Sequence, residues 1–299
     1  MIYKTRDIER IARSILNQIE IDLMHAGIFF RIFFRCKNEK SLDKKLSIKN
    51  ENGSLKYDSK EKLIRDIIGI RINLYFLEDL DIITKFFKEK YIPQFVEETI
   101  DLNTTTEFKP TRVNIIYRIP EEYLSEFTEV IKDSRVDSTF ELQLRTIFSE
   151  GWHEVEHDLR YKCQKDWDDY PDLSRTLNGI LASLETNEWS MIQLFERLSY
   201  SHYKNGNVSA MIRTKLRIRF DDYSISDKLT MLLGKEETFS KDFFKLDRNL
   251  IVNFLLRKKI HFPYSLENMI YLINFVFIKC NAVLQITPKI LLEDFEKIA

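Results

Sequence analysis

Ile67-Ile68-Gly69-Ile70-Arg71-Ile72-Asn73-Leu74-Tyr75-Phe76 decides how the rest of this 299-residue chain is read. Its β-branched and aromatic residues partly alternate with polar ones, as in a strand with at least one covered face. Downstream, Glu78 to Lys90 carries Leu80, Ile83 and Phe87 at helical spacing, and strand-like runs follow at Phe95 to Leu102, Val113 to Ile119 and Thr139 to Leu144. The last passes directly into a helix expected over Thr146 to Lys162. Strand and helix text in alternation predicts an α+β unit, a sheet with helices packed on it.

Upstream, Ile8, Ile11, Ile15, Ile19 and Leu23 recur every three or four residues, so residues 6–34 read as a helical lead. After Pro171 the strand signal fades. Leu177, Ile180, Leu181, Leu184, Met191, Ile192, Phe195 and Leu198 describe one long amphipathic helix. Beyond the hydrophilic break Ser201 to Asn207 the text is helical to the end. The expected division is a sheet-containing domain over 1–204 and a helical domain over 205–299.

Composition narrows the function classes. Apolar residues at 44% and charged residues at 31% describe a globular chain, and only seven glycines and six prolines favour long helices with a modest sheet. Lysine plus arginine, 46, nearly cancels aspartate plus glutamate, 47, so any attraction to phosphate must be local. The residues after Asn205 carry about +4 and those before it about −5. Cys36, Cys163 and Cys280 lie far apart, which predicts reduced thiols and no thiolate zinc site. Met1 to Arg13 lacks the uninterrupted apolar run of a secretion signal, and Met269 to Ile286 is broken by Asn274, Lys279 and Asn281, so the expected location is the cytoplasm with no membrane partner.

Four segments could carry chemistry. Arg31 to Arg65 holds eleven basic residues against five acidic ones. If it is a strand entering a helix, Arg35 and Lys37 share a strand face and Ser41 caps the helix, a corner suited to a polyphosphate; the alternative is a solvated basic loop. Asp66 and Arg71 border the apolar run, either as an internal ion pair or facing a cleft that holds metal and phosphate. Glu141, Gln143 and Arg145 alternate with leucines and project from one strand face, as a site wall or a solvated edge. His153-Glu154-Val155-Glu156-His157 spells the zinc-protease pattern, in which two imidazoles one helical turn apart bind zinc while Glu154 activates water.

In order and spacing, these segments resemble the nucleotidyltransferase domain of RelA/SpoT-type alarmone synthetases over roughly residues 10–200. The matches are Arg35-x-Lys37-x-x-x-Ser41-x-x-x-Lys45, Asp66-x-x-Gly69-x-Arg71, Glu141-Leu142-Gln143-Leu144-Arg145-Thr146 and Trp152-x-Glu154-x-Glu156-His157-x-x-x-Tyr161-Lys162. The resemblance implies a mixed sheet with packed helices and a pyrophosphokinase that moves the β,γ-pyrophosphate of ATP to a 3′-hydroxyl. It also implies that Arg35, Lys37, Ser41 and Lys45 hold ATP phosphates, with Arg71 near the adenosine and Gln143 and Arg145 in the same wall. Asp66 and Glu141 would hold magnesium, and Glu141 would take the acceptor's proton.

One element departs from the family. Its acceptor loop reads Gly-Tyr-x-Ser-x-His, with the tyrosine stacking on guanine, whereas this chain has Lys109-Pro110-Thr111-Arg112-Val113-Asn114, with Asn114 in the histidine position. The acceptor is therefore expected to be a GDP- or GTP-like nucleotide, another nucleotide, or a tRNA 3′ end as in toxic small synthetases. Arg213, Lys215, Arg217 and Arg219 either grip such a tRNA or form a solvated face. The competing readings are a catalytically silent nucleotide sensor with a helical signalling tail, and the zinc protease. A homo-oligomer or a regulatory partner is compatible with each.

Overall fold

A computed structural model describes residues 5–58, 62–91, 95–101 and 112–298. It divides into two compact units, one of Met1–Ile21 with Phe30–Glu185 and one of Asp22–Phe29 with Thr186–Ala299. In the first, β1 (Phe30–Cys36), β2 (Ile68–Leu74), β3 (Phe95–Asp101), β4 (Arg112–Arg118) and β5 (Thr139–Thr146) form a five-stranded sheet of order β1-β2-β5-β4-β3. Only β2 and β5 run parallel, so the sheet is mixed.

The two-residue period of β2 and β5 separates the faces. Ile68, Ile70 and Ile72 share one face with Phe140, Leu142 and Leu144, all fully or almost fully buried, and each contributes about 1.5–3 kcal/mol through that burial. Three helices carry the buried residues that accompany this face: Ile8, Ile11 and Ile15 on α1 (Thr5–His25), Leu80, Ile83 and Phe87 on α3 (Asp79–Lys90), and Phe127 on α4 (Glu121–Val130). A chain of rings, Phe87, Tyr91, Tyr117 and Phe140, ties α3 to the sheet at centroid separations of 6.0, 5.5 and 5.6 Å. The Arg13 guanidinium lies over Phe34, 5.1 Å from the ring centre, and Arg10 pairs with Glu126 of α4 at 2.7 Å.

The opposite face is polar. Arg35, Gly69, Glu141 and Ile116 lie side by side across β1, β2, β5 and β4, and the next row is Phe33, Arg71, Gln143 and Asn114. α5 (Ile147–Glu156) follows β5 without a loop because Thr146 and Ser149 form a reciprocal capping box. That junction fixes which α5 residues overhang the polar face.

Several boundaries differ from the sequence reading. The helical lead stops at His25, and residues 30–34 are strand; Gly27 takes a φ of +67°, at which the chain leaves the helix. The phase of the isoleucine stripe runs out there, and Phe30 to Cys36 alternate between more and less buried positions. α2 (Glu39–Leu46) is capped by Asn38, whose side chain accepts from the Ser41 amide at 2.8 Å, so Ser41 sits inside the first turn and is not the cap. The helix after β5 is regular only to Glu156, and residues 157–161 widen into a π-turn. The long helix, α6, extends over Pro171–Lys204.

The second unit is helical: α7 (Val208–Leu216), α8 (Asp227–Lys235), α9 (Glu237–Lys245), α10 (Arg248–Arg257), α11 (Leu266–Ile273), α12 (Asn281–Ile286) and α13 (Lys289–Ile298). Leu229, Phe239, Phe243, Ile251, Leu255, Met269 and Phe295 are fully buried in it. The basic run of α7 is part of this packing. Lys215 is 9% exposed with its ammonium over Phe244, and Arg217 is 4% exposed and bonded to Glu196 and the Thr214 carbonyl. Arg219 covers the ring of Phe29. Lys215 and Arg217 therefore turn into the packing of this unit, while Arg219 stays exposed. No described helix is long and apolar enough to cross a membrane.

Candidate active site

β1 delivers the first basic groups. The Lys37 amide donates to the Ile67 carbonyl at 2.9 Å, which places Lys37 beside Asp66 just before β2 begins. α2 then returns Lys45, from its last turn, to the same carboxylate. Both ammonium groups donate to Asp66 Oδ2, at 2.7 and 2.8 Å. Burial raises the Asp66 carboxyl pKa, but the bonds and charges of the two lysines outweigh it and hold the group below the ordinary carboxylate range. Burial also pushes Lys37 down, with the nearby cations Lys45 and Arg35 adding to the effect. Lys45 is raised, because Asp66 and Tyr57, whose ring centre lies 5.3 Å from its Nζ, together outweigh its burial.

Asp66 and Glu141 line one cavity of about 390 Å³, shared with Lys45, Tyr57, Arg65 and Glu97. Asp66 Oδ1 is enclosed and has no hydrogen-bond partner among the described residues. An enclosed carboxylate oxygen left unmatched costs free energy that a hard cation would recover, so the two carboxylates fit a magnesium site. Arg65 braces the rim with bonds to Asp137 at 3.0 Å and Glu97 at 2.8 Å.

A second cavity, also about 390 Å³, opens over Gly69 and is bordered by Phe33, Arg35, Arg71 and Gln143. A relay of polar groups joins the two. Gln143 donates to Glu141 at 2.8 Å and accepts from Arg71 Nε at 2.9 Å. Arg71 also bonds Glu150 and Glu154 of α5, and Arg145 donates to the other oxygen of Glu150 at 2.7 Å. The Arg71 hydrogen bond is the main cause that holds the Glu154 carboxyl below its ordinary range.

The structure thus gathers Lys45, Asp66 and Glu141, with Lys37 on the same carboxylate, at one cavity of the polar face and Arg35, Arg71 and Gln143 at the other. Arg145 lies behind them, 3% exposed. Ser41 is exposed and lines neither cavity. Asp66 and Arg71 do not pair with each other; each bonds to different partners. Of the acceptor-loop segment, residues 109–111 lie outside the described residues, while Asn114 is in β4 directly opposite Gln143.

Sequence reasoning missed Glu150 and Glu154 as partners of Arg71. Their four-residue spacing on a helix capped directly at the end of β5 was the available signal. The same contact reassigns the zinc-protease spelling, since Glu154 is bound to Arg71. His157 stacks on Tyr161 with centroids 5.5 Å apart and has its Nδ1 3.0 Å from Asp158. Among the described residues, no group of three or more histidines, cysteines and acids is arranged to hold a metal ion.

Trp152 donates to the Leu177 carbonyl at 2.9 Å, and Arg160 bonds Glu156 and Asn178, so Trp152 and, through Arg160, Glu156 fasten α5 and the turn after it to the start of α6. Residues 34–166, which contain all four motifs, match the model of the region found in RelA and SpoT proteins. This segment is similar to the RelA/SpoT region.

The whole chain matches none of the curated proteins. Similar solved structures include a GTP pyrophosphokinase family protein from Streptococcus pneumoniae, 17% identical, covering 62% of this chain and 87% of that one with a TM-score of 0.45. Another is the small alarmone synthetase 1 of Bacillus subtilis bound to its product pppGpp, 17% identical over 63% of this chain and 96% of that one, TM-score 0.43. The same enzyme bound to AMPCPP is 16% identical over 62% and 91%, TM-score 0.40.

Proposed function

We propose that the RelA/SpoT region is a pyrophosphokinase that transfers the β,γ-pyrophosphate of ATP to the 3′-hydroxyl of a nucleotide or of a tRNA end. The observation that carries this reading is the shared cavity of Asp66 and Glu141, with Lys45 on its rim and Lys37 on the same carboxylate. The two acids offset the two charges of a magnesium ion, and the two ammonium groups offset part of the negative charge of a triphosphate. In this reading Asp66 and Glu141 hold magnesium, which supplies charge neutralisation to the phosphates.

The chain's own groups do the rest. Lys37 and Lys45 turn from Asp66 toward the phosphate oxygens and offset negative charge as the bond between the α-phosphorus oxygen and the β-phosphorus breaks and AMP leaves. Glu141, oriented by the Gln143 amide, accepts the proton of the attacking 3′-hydroxyl while the new oxygen to β-phosphorus bond forms. Arg65 and Glu97, with Ile116 of β4, complete the wall of the same cavity. Alignment of hydroxyl and phosphorus supplies much of the remaining acceleration.

The test is transfer of label from γ-labelled ATP, with magnesium, to GDP, GTP, ATP or bulk tRNA offered separately. Labelled product with at least one acceptor, reduced by at least about 10³-fold in Glu141→Gln, is the expected result. Tight ATP binding without transfer to any of the four would replace this reading with that of a silent nucleotide sensor.

A further inference from the structure

Phe33 is an oddity of the polar face. It lies on edge strand β1 between Arg31 and Arg35, directly across from Arg71, and is 54% exposed while lining the cavity over Gly69. An aromatic ring at the mouth of a cavity presents a flat apolar face on which a planar group can bury area. The guanidinium across from it is the second half of the observation. Arg71 is already bonded to two carboxylates, Glu150 and Glu154, and to the Gln143 carbonyl oxygen. A guanidinium neutralised in its own plane is a poor phosphate ligand, yet its face remains available for stacking.

The two cavities therefore differ in what they can hold. The one at Asp66 offers ammonium groups and an unmatched carboxylate oxygen, whereas the one at Gly69 offers an aromatic ring and a charge-compensated guanidinium, with Arg35 beside them on the strand that leads to Lys37. We infer that Phe33 is the base-stacking residue of the donor site, covering one face of a purine whose phosphates run toward Lys37 and Lys45. This inference rests on the pyrophosphokinase reading for the identity of the donor. Gly69 lies between the two cavities, and a Cβ there would come within 3.5 Å of the Arg35 side chain.

The experiment compares calorimetric binding of ATP and of inorganic tripolyphosphate, each with magnesium, to the full chain and to Phe33→Ala, Phe33→Leu and Phe33→Trp. Stacking of one base on one ring predicts that Phe33→Ala weakens ATP about tenfold or more and leaves tripolyphosphate within about twofold. Phe33→Leu should fall between, and Phe33→Trp should keep the ATP affinity and add an indole fluorescence that ATP quenches. Unchanged ATP affinity in Phe33→Ala, or equal weakening of both ligands, overturns the assignment. The outcomes separate the two levels of inference. ATP bound through Phe33 but never transferred defeats the pyrophosphokinase reading alone, transfer with unaltered ATP binding in Phe33→Ala defeats the stacking role alone, and a wild-type chain that binds no ATP defeats both.

Discussion

Basic residues at the polar face of the sheet and basic residues in the helical unit have opposite partners, although in sequence both are runs of lysine and arginine. Around the sheet, Lys37 and Lys45 converge on one carboxylate that borders a cavity, and Asp66 Oδ1 remains unmatched there. In the helical unit, Arg217 bonds the Thr214 carbonyl and Glu196, and Arg248 donates to the Leu216 carbonyl at 2.7 Å with only 4% of its surface exposed. The first arrangement leaves charge near a space that a ligand can fill. The second uses charge to close helix ends that would otherwise leave buried carbonyl groups without donors. A run of positive charge thus reports an anion site only when its partners border a cavity.

The largest expected effect comes from removing the carboxylate that organises the first arrangement. Asp66→Asn leaves Lys37 and Lys45 facing each other without a counter-charge and removes one of the two acids proposed for magnesium. Pyrophosphoryl transfer should drop by at least about 10³-fold while circular dichroism retains the wild-type spectrum. Transfer within tenfold of wild type would put Asp66 on the same footing as the structural pairs of the helical unit.

The converse substitution is Arg248→Met. It removes the donor to the Leu216 carbonyl and keeps the length of the buried stem, so stability should fall by about 2–3 kcal/mol. Transfer measured well below the melting temperature should stay at the wild-type level. Denaturant unfolding together with the label assay checks both halves. A variant as stable as wild type would show that the Leu216 carbonyl finds another donor.

The strands and most helices were legible because period two and period three-to-four patterns are local properties. β5 is the clearest case, since Glu141, Gln143 and Arg145 alternate with leucines and do share the polar face. Where a boundary slipped, two local signals competed. The stripe from Ile8 to Leu23 drew the lead onward through Phe30-Arg31-Ile32-Phe33-Phe34, whose own two-residue period describes β1. Asn38 and Ser41 are both good caps, and only the folded geometry distinguishes them. Of the site, the gathering of Lys37, Lys45, Asp66 and Glu141 followed from the resemblance, though not the direct bonds of the two lysines to Asp66. The pairing of Arg71 with Glu150 and Glu154 did not, because it depends on how α5 leans across β2. The inward role of Lys215 and Arg217 was equally hidden, since composition gives charge but not direction.

The smallest effect reads the electrostatic field of the sheet unit through a group outside its chemistry. Burial first, then the cations Arg145 and Arg112, with His157 and Arg71 adding, lower the His153 imidazole from 6.5 to about 4. The folded chain therefore keeps His153 neutral where the unfolded chain binds a proton, so the unfolded state takes up more protons between about pH 4 and 6.5. Stability must fall as the pH drops through that window and must lose no more on this account below it. The full shift corresponds to about 3 kcal/mol, but the ring is only partly buried and its neighbours are screened, so about 1–2 kcal/mol is the expected loss. Denaturant unfolding at pH 6.5 and pH 4.5 measures it. Wild type should lose about 1 kcal/mol more than His153→Gln over that interval, the difference cancelling carboxylates common to both. Equal losses would mean that neither burial nor the neighbouring arginines hold His153 neutral in the folded chain, which would make this corner resemble the closed pairs of the helical unit more than the open one at Asp66.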